Sequence, residues 1–565
     1  PKVYLSQSTI AGVKNDGKNR IAGTELTSIK ADKVMNNGVI GNTGKTLIQA
    51  NEIKNKSIGD YFGEITGDKT SLIAFKNLSN SGAKISAEKE LILIAKNITN
   101  ESTTREIAHN NSNLDRSRFN EIASAGQISS NGLTYIEADK YTSKGAFTSG
   151  EKVVINAKDV NLDSIELTGE QKFGKDSNNF QSYGFKKNVG SELQAKDLQV
   201  SADNLNIKAS TVTTDTALID VKNIKLESGI DYENREKQNK SKGFLSSSSE
   251  KEKSHQEFNS ESNLIVKNQG ILAGNIEVIG STLALGDNSL IVGKLTTDSQ
   301  KLNSTYEHEK SKKGFSASIT SNSFSVGYGK TKTTTNGKDL TNDKSTLILG
   351  DGTVLNKGAE ITATNFEHGK ISINNGDVTF GARKDIHEIE SSTKSSGINL
   401  SVQVKSQALD RAKQGIDAVK QMKSGDSIGG FANGVNTITG VVSGLSNNIK
   451  NLDNKRATTN DVKNGNFKVN NDFYLSTDIN LGFTRSESKS KSHNENAVVT
   501  NIQGKDSNSS ITYNNVNTVN YDGTQAKNTK FIYNNVENIN KTAVELKNSY
   551  SSTGKSSGIS TGVTV

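Results

Sequence analysis

The sequence predicts an all-β fold, a parallel β-helix with coils of about 19–20 residues, on three observations. Apolar residues between 191 and 226 recur after nineteen positions. Within each copy they are mostly two apart, the spacing of one strand face, and steps of three mark corners. The single proline is Pro1, as expected where interior strands donate hydrogen bonds to both neighbours. The matched pairs are Leu193 with Val212, Leu198 with Ala217, Val200 with Ile219, Ala202 with Val221, Leu205 with Ile224 and Ile207 with Leu226.

The same period returns along the chain, which argues against coincidence. A helical array would show spacings of three and four instead. Near the end the period becomes twenty, where Tyr513-Asn514-Asn515-Val516 returns as Tyr533-Asn534-Asn535-Val536 and Val519 as Ile539. At nineteen the matches are Leu72 and Ala74 with Leu91 and Leu93; Ile136, Ala138, Tyr141 and Ala146 with Ile155, Ala157, Val160 and Ile165; Leu264, Val266, Ile271, Ala273 and Ile276 with Leu283, Leu285, Leu290, Val292 and Leu295; and Leu347, Val354, Ala359 and Ile361 with Phe366, Ile373, Val378 and Phe380.

The composition fits a thin core with a large surface. Hydrophobic residues make up 32% and aromatic residues 5% of the 565 residues. The 50 glycines and many asparagines suit tight corners, because both tolerate positive φ, and asparagines in register would form side-chain ladders. The absence of cysteine excludes disulfides and thiolate metal sites. The net charge of +8 indicates lysine-rich solubilisation or, alternatively, attraction to an anionic surface such as lipopolysaccharide, sulfated glycan or phospholipid.

Charged segments without the period interrupt the coils and divide the chain. We predict coils with charged interludes over residues 1–405, an insert over 406–463 and continuing coils over 464–565, resuming from Phe467. The interludes are 101–118, 169–189, 229–260, 296–345 and 485–496, and residues 551–565 open another.

The interludes share a repeated mark of lysine, serine, glycine and an apolar residue. After the second mark, apolar residues alternate on both sides of a turn, which predicts a β-hairpin with one apolar face. Isolated hairpins are marginal in water, so we expect these hairpins to leave the coil and lie along it, covering a side or an edge. The marks are Lys240-Ser241-Lys242-Gly243-Phe244, Lys310-Ser311-Lys312-Lys313-Gly314-Phe315, Lys394-Ser395-Ser396-Gly397-Ile398 and Lys555-Ser556-Ser557-Gly558-Ile559.

The insert differs from the rest of the chain. An apolar stripe over residues 409–419 predicts a short helix, and the glycine-rich stretch 427–445 follows it. That stretch predicts a second helix or a loop packed closely on its neighbours. The alternative is a membrane-active hairpin, because glycines four apart allow close helix contact in lipid. The candidate surface or membrane contacts are Lys240, Lys242, Phe244, Lys310, Lys312, Lys313, Phe315, Gly430, Gly434, Gly440 and Gly444.

The sequence predicts no catalytic, cofactor or metal site. In Gly41-Asn42-Thr43-Gly44-Lys45-Thr46 a phosphate-binding loop would need glycine at position 39, which is valine. Gly350-Asp351-Gly352 is similar to a calcium-binding repeat, but it is single, and a coil corner explains it better. None of the six histidines has a partner at metal-ligand spacing, and we expect His255 and His308 to be solvated. Basic runs lack interleaved aromatics, so we expect no nucleic-acid partner.

Stacked coils interrupted by lysine-serine-glycine hairpins resemble the hemagglutinin-repeat region of two-partner secretion exoproteins, the filamentous hemagglutinins and contact-dependent growth inhibition exoproteins. The resemblance covers most of the chain and rests on the order of coils, charged strand, mark and alternating strand. It implies a right-handed β-helix, exported from a Gram-negative cell by an outer-membrane secretion partner. The family's proline-containing secretion motif and the Val-Glu-Asn-Asn tetrad before many toxins are absent, and Val536-Glu537-Asn538-Ile539 is the nearest text.

The resemblance implies a secreted, non-enzymatic filament segment, monomeric, that serves adhesion or toxin delivery at a target cell's outer membrane. A passive structural stalk and a β-helical polysaccharide-acting enzyme remain as alternatives. An acid cluster on one sheet face would favour the enzyme. The chain begins at Pro1 without a visible signal peptide, so we expect an excised piece of a longer protein.

Overall fold

The structure, a computed structural model, describes residues 12–244, 246–319, 323–404 and 477–564. Every regular element in those ranges is a β-strand, which confirms the all-β prediction. The strands belong to two systems, a stack of parallel coils and a separate antiparallel sheet. The insert 406–463, with its predicted helix, lies outside the described residues.

In the described part of the chain, twenty-nine strands build the coils. They pair in parallel with the strands of the coils before and after them. Their bounds are β1 Val13–Asn15, β2 Arg20–Ile21, β3 Leu26–Lys30, β4 Lys33–Asn36, β5 Val39–Gly41, β6 Lys45–Lys56, β7 Glu64–Thr66, β8 Lys69–Ser81, β9 Lys84–Ala87, β10 Glu90–Glu101, β13 Gln127–Ser130, β14 Leu133–Lys144, β15 Phe147–Asp163, β18 Glu192–Lys208, β19 Thr211–Glu227, β22 Asn263–Val266, β23 Gly270–Ile279, β24 Thr282–Leu285, β25 Leu290–Ile291, β26 Leu295–Asp298, β29 Ser345–Leu349, β30 Val354–Leu355, β31 Ala359–Thr362, β32 Thr364–His368, β33 Lys370–Asn374, β36 Asn501–Gly504, β37 Ser510–Asp522, β38 Gln525–Lys527 and β39 Lys530–Thr542.

Eleven further strands of the described residues form the antiparallel sheet, which we call the hairpin sheet. Among the described strands only β34 belongs to both systems, because its first residues pair with coil strands and the rest lies in the hairpin sheet. The strands are β11 Thr103–Ser112, β12 Asp115–Ser124, β16 Ile165–Asp176, β17 Asn179–Val189, β20 Gly229–Lys242, β21 Ser246–Ser260, β27 Gln300–Ile319, β28 Ser323–Asp343, β34 Val378–Val404, β35 Thr477–Val499 and β40 Ser549–Thr564.

The coil register confirms the nineteen-residue period between β18 and β19. All six predicted pairs in this stretch, from Leu193 with Val212 to Ile207 with Leu226, are direct partners. The twenty-residue pairs Tyr513 with Tyr533 and Val519 with Ile539 are also direct partners. Alternate residues of each strand point inward, so the apolar pairs of β18 and β19 stack into one continuous core. In the last coil Tyr533 and Ile539 are 37% and 45% exposed.

Four sequence matches are wrong: those of Leu72 and Ala74, that of Val354, and that of Ala146, whose predicted partner Ile165 lies in β16 of the hairpin sheet. Leu72 pairs with Leu93 rather than Leu91, because this coil is longer. Val354 pairs with Ser372 rather than Ile373, since the corner before Ser372 is one residue shorter. Ile271 pairs with Leu290 as predicted, but it faces outward and is 37% exposed, while the next residue, Leu272, is fully buried. At Leu72, Ala74 and Val354 a change of corner length shifts the period locally.

Buried polar ladders line two corners of the coil. At one corner, five asparagines donate in sequence from Asn15 to Asn100, each side-chain amide reaching the next at 2.7–2.8 Å. At another, the backbone N–H of each corner serine donates to the serine hydroxyl one coil further on, as from Ser191 to Ser210 at 3.0 Å. The serine ladder continues through Ser262, Ser281 and Ser345. The predicted asparagine ladders are thus present, and they satisfy polar groups inside the core.

The serine corner has two alternating forms. In every second coil one residue with positive φ closes the corner, as Ala209 does at φ 45° and Gly280 at φ 53°. In the coils between, the same corner opens into a hairpin. Single-residue corners are Gly82, Gly145, Ala209, Gly280, Ala363 and Gly523. They alternate with the hairpins β11–β12, β16–β17, β20–β21, β27–β28 and β34–β35, and with the strand β40.

This alternation has a geometric reason. Neighbouring strands in a sheet lie ~4.8 Å apart, so a two-stranded hairpin occupies about the rise of two coils. One hairpin per two coils therefore lets each hairpin pair edge to edge with the next. The strand order β11-β12-β16-β17-β20-β21-β27-β28-β34-β35-β40 follows, with every neighbour antiparallel.

The hairpins do not lie over the coils, contrary to our expectation. Their strands are half-exposed or exposed on both faces along most of their length, as in β11 and β21. Pairing with the neighbouring hairpins stabilises each hairpin, where we expected packing on the coil to do so. The expected coil from Phe467 is also not found in the described residues: Thr477–Val499 pairs antiparallel with β34, and coil strands resume at Asn501.

Candidate contact surface

The hairpin sheet is the candidate functional surface, because its strands are largely exposed or half-exposed on both faces. Its cross-strand neighbours are largely of opposite charge. Ion pairs join strands within one hairpin, as Arg105 with Glu121, and between hairpins, as Lys310 with Glu250 at 3.1 Å. These pairs are exposed to water, so each adds little stability. Together they favour the correct strand neighbours over like-charged alternatives.

Repeated polar contacts hold adjacent hairpins together at their bases. The backbone and side-chain amides of Asn188 donate to one carboxylate oxygen of Asp231 at 2.7 and 2.8 Å. Asn342 makes the same two bonds to Asp385, at 2.7 and 3.1 Å. Both asparagines lie forty-three residues before their aspartate. The sequence analysis missed these pairs, and that repeated spacing is the signal that could have found them.

Glu495 forms a third junction of this kind, near the last hairpin. The backbone N–H of Lys547 donates to its carboxylate at 2.8 Å, and Lys384 lies 3.0 Å from the same oxygen. These contacts lower the pKa of Glu495 to about 2. The carboxylate therefore stays charged at any physiological pH.

Glu250, Glu252 and His308 come together across two hairpins and could hold a metal ion, since one atom from each lies within 4.8 Å of the others. The His308 imidazole is 3.1 Å from Glu250 and lowers the pKa of that carboxyl, together with Lys310. Lys310 occupies the same carboxylate oxygen at 3.1 Å and would compete with a cation. The group is better described as a surface ion network. We expected a solvated His308, and only the register between β21 and β27 reveals its neighbours.

The repeated mark forms one transverse line across the sheet. Gly314 pairs with Gly329, which pairs with Gly397. On one side the line continues from Gly397 through Thr484 to Gly558. On the other side Ser246 is the strand partner of Gly314, and its carbonyl accepts a hydrogen bond from the Gly243 N–H of the first mark. The four marks therefore lie at one transverse position in the sheet. This line separates the charged part of each hairpin, nearer the coil, from the part beyond.

Beyond this line the longest hairpins carry apolar rows on one face, which we call the distal apolar patch. Phe324, Val326 and Leu400 are buried there. Towards β40 the patch opens, and Phe483 is 47% and Ile559 75% exposed. The opposite face carries serine, glycine and asparagine. The patch consists of Phe315, Ala317, Phe324, Val326, Tyr328, Ile398, Leu400, Leu481, Phe483 and Ile559.

The predicted contact residues occupy different environments. Lys240 donates to Asn178 at 2.9 Å, and Lys310 pairs with Glu250. Phe244 is 52% exposed in the turn after β20. The Phe315 ring contacts Tyr328, with centroids 5.0 Å apart, inside the distal apolar patch. Lys242, Lys312 and Lys313 are exposed at the transverse line, and Gly430, Gly434, Gly440 and Gly444 lie outside the described residues.

A groove of about 800 Å³ crosses the charged part of the hairpin sheet. Its walls come from seven strands, β12 to β28, and so from four hairpins. Arg116, Lys172, Lys253 and Glu307 stand along one side, and His255 along the other. The sequence analysis missed this groove, because its residues are brought together only when successive hairpins pair.

Two remaining features can be assigned. Gly350-Asp351-Gly352 forms a coil corner, as expected: Asp351 accepts the Lys370 N–H at 2.7 Å, and Gly352 has φ 75°. Among the described residues, no helix has the length and apolar character needed to span a membrane.

One comparison with known proteins gives a match, and it covers the C-terminal end of the chain. The matched stretch runs from β35 through the coil strands β36 to β39 into β40. It holds the second strand of a hairpin, two coils and the strand β40 of the hairpin sheet, and the same order of hairpin-sheet strand, two coils and hairpin-sheet strand occurs four times earlier in the described part of the chain. Comparisons with curated proteins and with solved structures give no match. Residues 481–565 match the family model of the hemagglutinin repeat, which confirms the resemblance over that stretch.

Proposed function

We propose that the chain is a non-enzymatic segment of a secreted, adhesin-like exoprotein, and that the hairpin sheet is its contact surface for a target cell. The observation that carries this proposal is that most residues on both faces of the hairpin sheet are exposed or half-exposed to solvent. The sheet is attached to the coil stack at one corner of the coils. A sheet that served the fold alone would bury one face. The hemagglutinin repeat at residues 481–565 supports an extracellular filament of the two-partner secretion type.

The finer parts of the proposal follow from the same family resemblance. An outer-membrane secretion partner would export the chain from a Gram-negative cell. Contact would serve adhesion, or would bring a toxin to the target's outer membrane. The distal apolar patch and the lysines along the transverse line, such as Lys312 and Lys313, would make the closest approach to that surface.

The alternating corners supply a test against the passive stalk. Replacing Ser228–Glu261 with one alanine, and Ser299–Lys344 likewise, copies the corner Lys208-Ala209-Ser210 and should leave the coils stacked. Binding of this shortened chain and of the intact chain to Gram-negative outer-membrane vesicles would be measured by co-sedimentation. We expect the intact chain to bind and the shortened chain to lose binding. Equal binding by both would show that the two removed hairpins, β20–β21 and β27–β28, are not the contact surface.

A second measurement separates the proposal from the enzyme alternative. Incubation of the intact chain with cell-surface polysaccharides, followed by size analysis, should show no cleavage. The carboxylate cluster of the sheet, Glu250 and Glu252, already pairs with His308 and Lys310. Cleavage abolished by changing Glu250 and Glu252 to glutamine would replace our proposal with an enzyme.

A further inference from the structure

The groove across the hairpin sheet has the form of a long, shallow channel. Residues two apart on a strand point to the same face, ~7 Å from each other. Arg116 and Lys172 pair directly and belong to one transverse row, and Glu170 and His255 belong to a row two positions away. The row between them points to the opposite face, so backbone forms the channel floor. Seven strands at ~4.8 Å spacing give a channel about 29 Å long.

Three of the charged side chains in this channel have no polar partner in the described part of the chain, whereas others are paired, as Lys253 is with Glu236 at 3.8 Å. Arg116, Glu170 and Glu307 form no ion pair or side-chain hydrogen bond with any other described residue. By contrast, Arg118, on the same strand as Arg116, pairs with Glu106 at 2.9 Å. Unpaired donors and acceptors therefore converge on one elongated channel, which is the arrangement expected of a polar ligand site.

The channel walls carry both positive and negative side chains, and this mixture indicates which class of ligand would bind. A polyanion would meet Glu170, Glu236 and Glu307, and a polycation would meet Arg116, Lys172 and Lys253. A chain of sugar hydroxyls suits both sets, because a hydroxyl donates to a carboxylate and accepts from a guanidinium or ammonium group. The length and narrow floor of the channel suit a linear chain rather than a compact molecule.

We propose that this groove binds a linear, uncharged oligosaccharide. The inference deepens the proposed function and rests on it for its biological setting, since the ligand would belong to the target-cell surface. Arg116 and Lys172 would donate to sugar oxygens, and Glu170 and Glu307 would accept from sugar hydroxyls. Because the ligand carries no charge, its affinity would change little with salt.

The test uses the full chain and three neutral hexasaccharides, maltohexaose, cellohexaose and chitohexaose, with a heparin-derived hexasaccharide as the charged comparison. Isothermal titration calorimetry at low and high salt gives each Kd. We expect at least one neutral sugar to bind, with the same Kd at both salt concentrations. The double variant Arg116→Ala/Glu307→Ala should weaken that binding at least tenfold, because it removes two charged hydrogen-bonding groups.

A matched control variant tests whether the loss of sugar binding is specific to the channel residues. Asp115→Ala/Lys237→Ala removes one acid and one base from the opposite face of the sheet, in the transverse row next to that of Arg116 and Glu307. It should leave the Kd unchanged, and circular dichroism should show that both variants fold. Equal weakening by both variants, no binding of any neutral sugar, or tighter binding of the heparin fragment would each overturn the inference.

The outcomes also separate this inference from the proposed function. Binding of the chain to outer-membrane vesicles without binding of any neutral sugar would overturn the groove assignment alone. Sugar binding that depends on Arg116 and Glu307, without binding to vesicles, would overturn the cell-contact proposal alone.

Discussion

The coils and the hairpin sheet are built from strands of the same chain, yet they are stabilised in different ways. The coils pair in parallel around a buried apolar core, with asparagine and serine ladders satisfying the corners. The hairpin sheet pairs antiparallel, with little core outside its distal apolar patch, and depends on backbone bonds and exposed ion pairs. This difference places stability in the coils and leaves charged, solvent-exposed groups in the hairpins for contact.

The two regions are nevertheless linked by one length, the strand spacing. Each coil advances by one strand, and each hairpin contributes two strands to the sheet for every two coils. The coils therefore set which hairpins become neighbours. The hairpin sequences can then vary in length, from the 10 residues of β11 to the 23 of β35, without disturbing the stack.

A charge placed in the coil core should have the largest effect. Val200 is 3% exposed and lies between core residues of the coils before and after it. Val200→Asp should lower the free energy of unfolding by about 4 kcal/mol or more, because the carboxylate has no partner there. Urea unfolding followed by circular dichroism measures the change.

The control for that variant is an outward residue of the next coil. Leu218 is 46% exposed and precedes the fully buried Ile219. Leu218→Asp should cost less than about 1 kcal/mol. Similar losses in both variants would mean that the inward and outward faces of the coil are wrongly assigned.

Breaking the asparagine ladder should have the next largest effect. Asn55 accepts from Asn36 and donates to Asn80, both at 2.8 Å, and is fully buried. Asn55→Ala should cost about 2 kcal/mol, because it leaves two buried amides with an unmet hydrogen bond. The exposed ladder residue Asn534 provides the comparison, and Asn534→Ala should shift the urea midpoint far less. An unchanged midpoint for Asn55→Ala would contradict a structural role for the ladder.

Lowering the pH should destabilise the hairpin sheet more than the coils, without any mutation. The carboxyls of Glu250, Glu388 and Glu495 have pKa values below the usual 4.5, through bonds to histidine, lysine or backbone amides. A lowered folded-state pKa means that the unfolded state takes up protons first, so this stabilisation is present above pH 4.5 and is lost as pH falls towards 2. Amide and hydroxyl ladders do not titrate in that range.

Hydrogen exchange at pH 3 and pH 6, corrected for the intrinsic pH dependence of exchange, measures this separation. Protection should fall in β34, β35 and β40 and persist in β18 and β19. Glu495→Gln should reduce the difference between the two pH values near Lys384 and Lys547, where that carboxylate binds. Equal loss of protection in both regions would argue against the assignment of charge to the hairpin sheet.

A single exposed ion pair should have the smallest effect. Lys394 lies 3.3 Å from Glu487 across β34 and β35, and Lys489 lies 3.4 Å from the same oxygen. Lys394→Ala should change the free energy of unfolding by less than about 0.5 kcal/mol, because the pair is exposed and a second lysine remains. A loss several times larger would mean that individual ion pairs hold the sheet together.

The coils could be predicted from sequence because their partners lie one period apart. Leu198 and Ala217 are matched by counting nineteen residues, and the structure pairs them directly. The prediction failed where corner length changed, as at Leu72 and Val354. Apolar residues that alternate along a strand show that one face is buried, but they do not show which residue of the next coil each of them pairs with.

The hairpin sheet could be predicted only in part. Single hairpins, such as β27 with β28, followed from alternation around a turn, and the structure confirms them. Their pairing with one another did not follow, because Glu250 and His308, for example, are separated by a whole pair of coils. The groove and the Asn188–Asp231 contact depend on that pairing, so they became visible only in the structure.

Native-state hydrogen exchange on the intact chain at neutral pH tests the central claim most directly. The account predicts two groups of amides in increasing urea: those of β20, β21, β27 and β28 should open together at low urea, and those of β18, β19 and β23 only with global unfolding. A single transition shared by coil and hairpin strands would contradict the claim that the coils hold the stability and the hairpin sheet is a separate surface built on them.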